Sequence, residues 1–278
     1  MFNFIKYSTF GAALLALTAC SQEPQKSEAQ ASNQESSVKV VKFIGKDNPP
    51  YSDLAEFARD KLKAENIDLQ IQYVNDSLMP NKAVDAKEAD LNFFQHKSYL
   101  DSASNLNGWN LKVVAYTFNT IFGAYSPKYK SIDSLPEKAL VTIPADPGNN
   151  GRSLKLLEQA GLLKLKPIKE ESKISQADIL ESPKNIKIIE VEQPMLPTAY
   201  RDSDLTLITG AYTTHAGIVP RRDALITEKP NSYYTAVLVG NEESIKKPEV
   251  QRVKEVFESD EARKFILDNF SDVVGWER

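Results

Sequence analysis

The chain has 278 residues, with 34 Lys and Arg against 38 Asp and Glu and a formal net charge of −4. A mildly acidic body offers no phosphate-backbone footprint, which argues against nucleic acid as a partner. The single cysteine, Cys20, excludes an intramolecular disulfide and confines any catalytic thiol to the first twenty residues.

Those residues, "MFNFIKYSTFGAALLALTAC", carry one early Lys6 and then an apolar run from Phe10 to Leu17, too short to span a bilayer as a stable helix. They read as an export signal over residues 1–19. In "LTAC" small residues precede a cysteine, the pattern of a lipid-modified Cys20; the alternative is an ordinary signal-peptide end. Losing residues 1–19 removes Lys6 and leaves a net charge of −5. Residues 20–38 after the cleavage point are rich in Ser, Gln and Glu. They cannot bury enough surface to offset ordering entropy and read as a flexible tether. The remaining stretch of about 240 residues suits two cores better than one.

From Val38 short β-rich runs alternate with helical periodicity. "VKVVKFIG" reads as a buried strand, followed by a helix capped by Ser52 in which Leu54, Phe57, Ala58 and Leu62 recur at helical spacing. "IDLQIQYV", "ADLNFF" and "NLKVVAY" continue as strands with helical stretches between them. A second set runs from "IFGAYS" through "KALVTIPAD", the helix "NNGRSLKLLEQAG", "KNIKIIEVE" and "DLTLITGAY". Gly161 fits the left-handed position just past that helix. After "NSYYTAVLVG" two amphipathic helices close the chain and are expected to pack back on the first set. This alternation predicts α/β units on largely parallel sheets, and two sets in tandem predict two lobes around a ligand cleft.

The sequence contains no Gly-x-Ser-x-Gly, no phosphate-cradling Gly-x-x-x-x-Gly-Lys and no Gly-x-Gly-x-x-Gly after a strand, so enzyme readings lose most of their support. His96 and His215 stand far apart without Asp or Glu at helical spacing, and no metal or cofactor is expected. In "PADPGNNGRSL" a strand runs through a Pro/Gly/Asn turn into a helix start, whose free amides, with the donor fork of Arg152, suit a carboxylate. The alternative is that Asn149 or Asn150 only caps the helix and Arg152 lies in solvent. "NFFQHKSYLD" places Phe94, His96 and Tyr99 at a strand end and the following helix start, where they can form an apolar wall with a polar tip. Phe93 reads as core, and a hydrogen-bonded structural role for His96 stays open beside a ligand contact. Tyr73, Trp109, Phe118 and Tyr125 read as packing.

Taken in order, "NDSLMPNKAVDAKEADLNFFQHKSYLD", "IPADPGNNGRSLKLLEQAGLLKL", "ESPKNIKIIEVEQPMLP", "DLTLITGAY" and a final Gly275–Trp276 resemble the MetQ/NlpA lipoproteins, methionine-binding proteins of an ABC importer. The resemblance implies a type II-like, two-lobe periplasmic-binding-protein fold with mixed sheets flanked by helices and a ligand cleft at the hinge. It divides the body into a first lobe of residues 39–118 plus 230–278 and a second of 119–229. It implies that Phe94, His96 and Tyr99 wall the ligand's side chain and that Asn149 and Arg152 hold its carboxylate. An ABC permease with its ATPase, and a membrane reached through a lipid anchor, are the implied partners. Ser77, Ala145, Thr209 and Ala236 depart from the family pattern, which has Tyr at the first position and Asn at the other three. Tyr212 and Tyr234 are the expected compensating contacts. The alternatives are a modified amino acid or short peptide as ligand, or a surface lipoprotein or adhesin that has lost amino-acid binding.

Overall fold

The β-rich run that follows the tether forms β1 (Lys39–Gly45). The computed structural model describes residues 37–169, 171–229 and 231–276, so the export signal, Cys20 and residues 21–36 lie outside the described residues. After β1 come α1 (Tyr51–Lys63), β2 (Ile67–Tyr73), α2 (Met79–Asp85), β3 (Leu91–His96), α3 (Lys97–Asn107) and β4 (Lys112–Thr120). The second series is β5 (Phe122–Tyr125), β6 (Leu140–Pro144), α4 (Pro147–Gln159), β7 (Lys164–Leu165), β8 (Ile179–Glu181) and β9 (Lys187–Val191). It continues through α5 (Leu196–Ala199), β10 (Leu205–Thr209), α6 (Gly210–Thr213), α7 (Pro220–Asp223) and β11 (Ile226–Thr227). The chain closes with β12 (Thr235–Gly240), α8 (Pro248–Phe257), α9 (Asp260–Phe270) and β13 (Val274–Gly275).

Six strands form one sheet in the order β13-β4-β12-β3-β1-β2, and five form a second in the order β11-β5-β10-β6-β9. Largely parallel sheets are expected from the alternation, and the structure corrects this: both are mixed. β1 runs parallel to β2 and β3, and β6 parallel to β9 and β10. β4 reaches β5 through Ile121 alone, with no crossover helix to turn the chain, and β5 enters the second sheet antiparallel to β10. β12 returns from the second sheet and lies antiparallel to both β3 and β4.

α1 forms because Leu54, Ala58 and Leu62 fall on one face, and all three are fully buried. The expected cap Ser52 lies inside its first turn instead. Pro50 is the N-cap, and the Ser52 hydroxyl donates to Asp53 Oδ2 at 3.2 Å. Gly161 takes the left-handed conformation after α4, with φ +75°. The first core joins α1, α8 and α9 to the six-stranded sheet through Leu54, Phe93, Val253, Phe257 and Ile266. Phe257 meets Phe93 edge-on at 5.1 Å, and burial of each such side chain contributes about 1.5–3 kcal/mol. The second core packs Leu154 and Leu157 of α4 on Val141, Leu205 and Leu207.

Where the chain first passes between the sheets, Ile121 donates its N–H to the Val273 carbonyl at 2.9 Å and accepts from Gly210 N–H at 2.7 Å. A Cβ at Gly210 would overlap the Val273 carbonyl, so only glycine lets these three strands of backbone meet. Gly210→Ala should therefore cost about 1–3 kcal/mol, measured as a lower denaturant midpoint at unchanged slope.

Candidate functional site

Successive side chains of a strand point to opposite faces, and β3 uses this to separate its two phenylalanines. Phe93 is 1% exposed in the first core, while Phe94 is half-buried and lines a narrow chamber shared by residues of both sheets. His96 ends the strand and caps α3, its Nδ1 accepting the Tyr99 backbone N–H at 3.1 Å. The neutral ring therefore carries its proton on Nε2, which donates to Asn149 Oδ1 at 3.0 Å. Burial and then the nearby Arg152 guanidinium push the imidazole pKa down to about 3, against the opposing effect of the Asn149 hydrogen bond. His96 is thus neutral with both nitrogens engaged by the protein, and only its ring is offered to the chamber.

Tyr99 stands edge-on to Phe94 at 5.9 Å and donates its hydroxyl to the Ser77 carbonyl at 3.1 Å. Tyr212, just after β10, and Tyr51, at the start of α1, complete the aromatic lining. Burial raises the Tyr212 hydroxyl to about 12, which keeps it a neutral donor. Gln95 also reaches the chamber and is held by a buried amide cluster, with Asn81 Nδ2 donating to its Oε1 at 2.9 Å and its own Nε2 donating to Asn92 Oδ1 at 3.0 Å.

The second sheet contributes the start of α4. Neither Asn149 nor Asn150 is its cap. Asp146 is, with Oδ1 accepting both the backbone N–H and the side-chain Nδ2 of Asn149 at 3.0 Å, and Oδ2 accepting Gln193 Nε2 at 3.0 Å. Burial raises the Asp146 pKa, and those hydrogen bonds from Asn149 and Gln193 oppose the rise. The helix start expected to receive a ligand's anion therefore already holds a carboxylate of the chain itself.

Arg152, expected to hold a carboxylate, is 2% exposed, and neither it nor Tyr234 is among the residues lining the chamber. Its Nε donates to Glu228 Oε2 at 2.8 Å, Nη2 donates to the other Glu228 oxygen, and Nη1 donates to Asn149 Oδ1 at 3.1 Å. The Phe122 and Tyr234 ring centroids lie 4.4 and 3.9 Å from the guanidinium carbon. A buried guanidinium needs a counter-charge, and Glu228 supplies it in bidentate form.

The chamber thus brings together Phe94, His96, Tyr99, Asn149 and Tyr212 of the expected residues. It adds Lys46, Asn48, Thr120 and Gln193, which the sequence reading does not single out. The available signal is position: Lys46 and Asn48 follow the carboxyl end of β1, where open α/β sheets place their crevices. Of the family departures, Ser77 and Thr209 line the chamber. Ala145 donates its N–H to the Val191 carbonyl, and Ala236 is buried in β12 opposite His96.

The model of the NlpA lipoprotein family matches residues 43–275. D-methionine-binding lipoprotein MetQ of Salmonella typhi is 32% identical over 281 residues, covering 99% of each chain. Outer membrane lipoprotein 1 of Mannheimia haemolytica is 33% identical over 267 residues, 94% of this chain and 95% of that one. A solved structure of a nutrient binding protein from Burkholderia cenocepacia bound to methionine matches with a TM-score of 0.81 at 29% identity, over 86% of this chain and 100% of that one. The two-lobe α/β fold with mixed, helix-flanked sheets is the one observed.

The starts of α3 and α4 meet in close backbone contact. A Cβ on Gly148 would stand 2.8 Å from Tyr99 Cα, and α3 and α4 belong to different sheets. Gly148→Ala should wedge the halves apart and weaken ligand binding by about tenfold, or about 1.4 kcal/mol; calorimetry giving unchanged affinity would show that the contact yields. His96 couples the fold to pH. Its unfolded imidazole takes up a proton near pH 6.5 but the folded one only near 3. The unfolded state therefore binds more protons in that window, and stability is lost as pH falls below 6.5, by up to about 1.4 kcal/mol per pH unit. His96→Gln should flatten Tm against pH between about 6.5 and 5, and parallel slopes in the two proteins would contradict this.

Proposed function

The chain belongs to the NlpA lipoprotein family, and from that premise we propose that it is the lipid-anchored substrate-binding component of an ABC importer, capturing methionine or a related amino acid between two lobes. The observation that carries the reading is the chamber itself, whose walls come from both sheets and meet through His96–Asn149 at 3.0 Å. A ligand seated there touches both lobes at once, which favours the closed state over any open one, and that population shift is all a binding component has to deliver. No bond is broken in this mechanism.

In this reading residues 39–118 plus 230–278 form one lobe and residues 119–229 the other. Phe94, His96, Tyr99 and Tyr212 enclose the ligand's side chain with ring surface, suited to a flexible apolar or thioether group. Asn149 faces the ligand, and Arg152 with Tyr234 acts from behind by fixing Asn149. Cys20 carries the lipid that holds the protein on the extracytoplasmic side of a membrane, and a permease with its ATPase receives the closed, loaded form. The lipoprotein names of its relatives and the methionine bound in the Burkholderia cenocepacia structure support this assignment.

The test is a thermal-shift and calorimetry panel of amino acids and dipeptides, with L- and D-methionine foremost, on protein freed of any co-purified ligand by unfolding and refolding. Methionine at about a hundred times its Kd should stabilise the fold by about 2.7 kcal/mol. A panel in which no amino acid or dipeptide shifts the melting curve refutes uptake.

A further inference from the structure

Both cationic features expected to receive a carboxylate already hold one from the chain, the start of α4 that of Asp146 and the Arg152 guanidinium that of Glu228. One cation is left. Lys46 lines the chamber at 9% exposure, and of the lining residues it alone is formally charged at neutral pH. Its Nζ has one hydrogen-bond partner, Ser77 Oγ at 2.6 Å, and lies 5.9 Å from the Phe94 ring centroid. Among the described residues no carboxylate pairs with it directly. Burial lowers its pKa, and Asp76, Asp146 and Glu192 only partly oppose this from a distance. Two residues on, Asn48 is 8% exposed, lines the same chamber, and its side-chain oxygen is buried with no hydrogen-bond partner.

An ammonium has three donors, and here the protein satisfies one. A buried charge left without a counter-charge is costly, and so is an unpaired amide oxygen. Finding both against one chamber marks a site that a ligand completes.

We propose that Lys46 is an anion-receiving residue of the chamber, seating a carboxylate of the bound amino acid on its ammonium beside the Ser77 hydroxyl, while Asn48 Oδ1 accepts a hydrogen bond from a ligand N–H. This rests on the chamber being an amino-acid site. It places the ligand's anion on the first sheet, at the end of β1, and makes the pairing of Lys46 with Ser77 a determinant of specificity. The carboxylate can be the ligand's α-carboxylate or an acidic side chain.

The experiment titrates the wild type, Lys46→Met and Lys46→Arg with each of the twenty amino acids and with L-methioninamide. Ligands that bind the wild type should lose at least about thirtyfold in affinity in Lys46→Met and much less in Lys46→Arg. If methioninamide binds weakly and equally to wild type and Lys46→Met, the α-carboxylate is the group seated. If glutamate or aspartate binds best and loses that preference in Lys46→Met, it is the side-chain acid. Unliganded Lys46→Met should melt no lower than the wild type, because the lysine makes no ion pair for the fold to lose. A Lys46→Met protein with wild-type affinity overturns the assignment while leaving amino-acid binding standing. A marked drop in its unliganded Tm, with binding retained, makes the lysine structural and overturns it equally. A wild type that binds no amino acid overturns the importer reading and this proposal together.

Discussion

The side-chain amide of Asn149 is where the two sheets are locked in register. Its oxygen accepts from His96 Nε2, which belongs to the first sheet, and from Arg152 Nη1, which belongs to the second; its nitrogen donates to Asp146. With two donors on one side and a carboxylate on the other, the amide has a single satisfactory orientation. The chain of contacts runs on through Arg152 to Glu228, so charges alternate from Asp146 to Arg152 to Glu228 with neutral amide and imidazole groups between. Leaving any buried member unpaired costs about 1–3 kcal/mol, and more where it is charged. The neutral state of His96 belongs to this arrangement, because burial disfavours a second proton and the Arg152 guanidinium beside it adds to that.

That network decides which groups remain for a ligand. A helix start and an arginine next to a cleft look like an anion receptor, yet an anion receptor is available only if the fold has not filled it. Here Asp146 caps α4 and Glu228 grips Arg152 in bidentate form, so both cationic features of the second sheet already hold a carboxylate of the chain. Ser77, which stands where the family pattern has tyrosine, takes its place in the chamber as the hydrogen-bond partner of Lys46.

The elements themselves were largely legible in the sequence. The apolar alternation of "IDLQIQYV", the helical recurrence of Leu54, Ala58 and Leu62, and the stop at Gly161 each mark an element that the structure contains. Strand direction was not legible, because periodicity reports local conformation and says nothing about how β5 or β12 meets its neighbours. The placement of Phe94, His96 and Tyr99 on one chamber followed from a strand end running straight into a helix. The partner of Arg152 was hidden for a different reason: Glu228 lies 76 residues away, and no local pattern signals a pairing that only the return of the chain toward β12 creates. The cap of α4 falls three residues before Asn149, because Pro147 fits the first helical turn and leaves Asp146 at the cap position. No local pattern singles out Lys46, and its burial is a tertiary fact.

These features bear on how a ligand could drive closure. The His96–Asn149 and Ser98–Gly148 contacts join the sheets using protein groups alone, so they favour the closed geometry whether or not the chamber is filled and give no discrimination between empty and loaded forms. Discrimination has to come from groups the closed protein leaves incomplete. Moving a population from 1:99 to 99:1 requires about 5.5 kcal/mol of differential binding. A charge-assisted hydrogen bond to Lys46 supplies about 1.5–3 kcal/mol, and burial of one apolar side chain against the aromatic wall about 1.5–3 kcal/mol more. Together these give about 3–6 kcal/mol, so only the upper end of the range meets what a full switch needs. A lysine without a direct counter-charge in the empty protein, completed by the right solute, makes the loaded state the better-satisfied one.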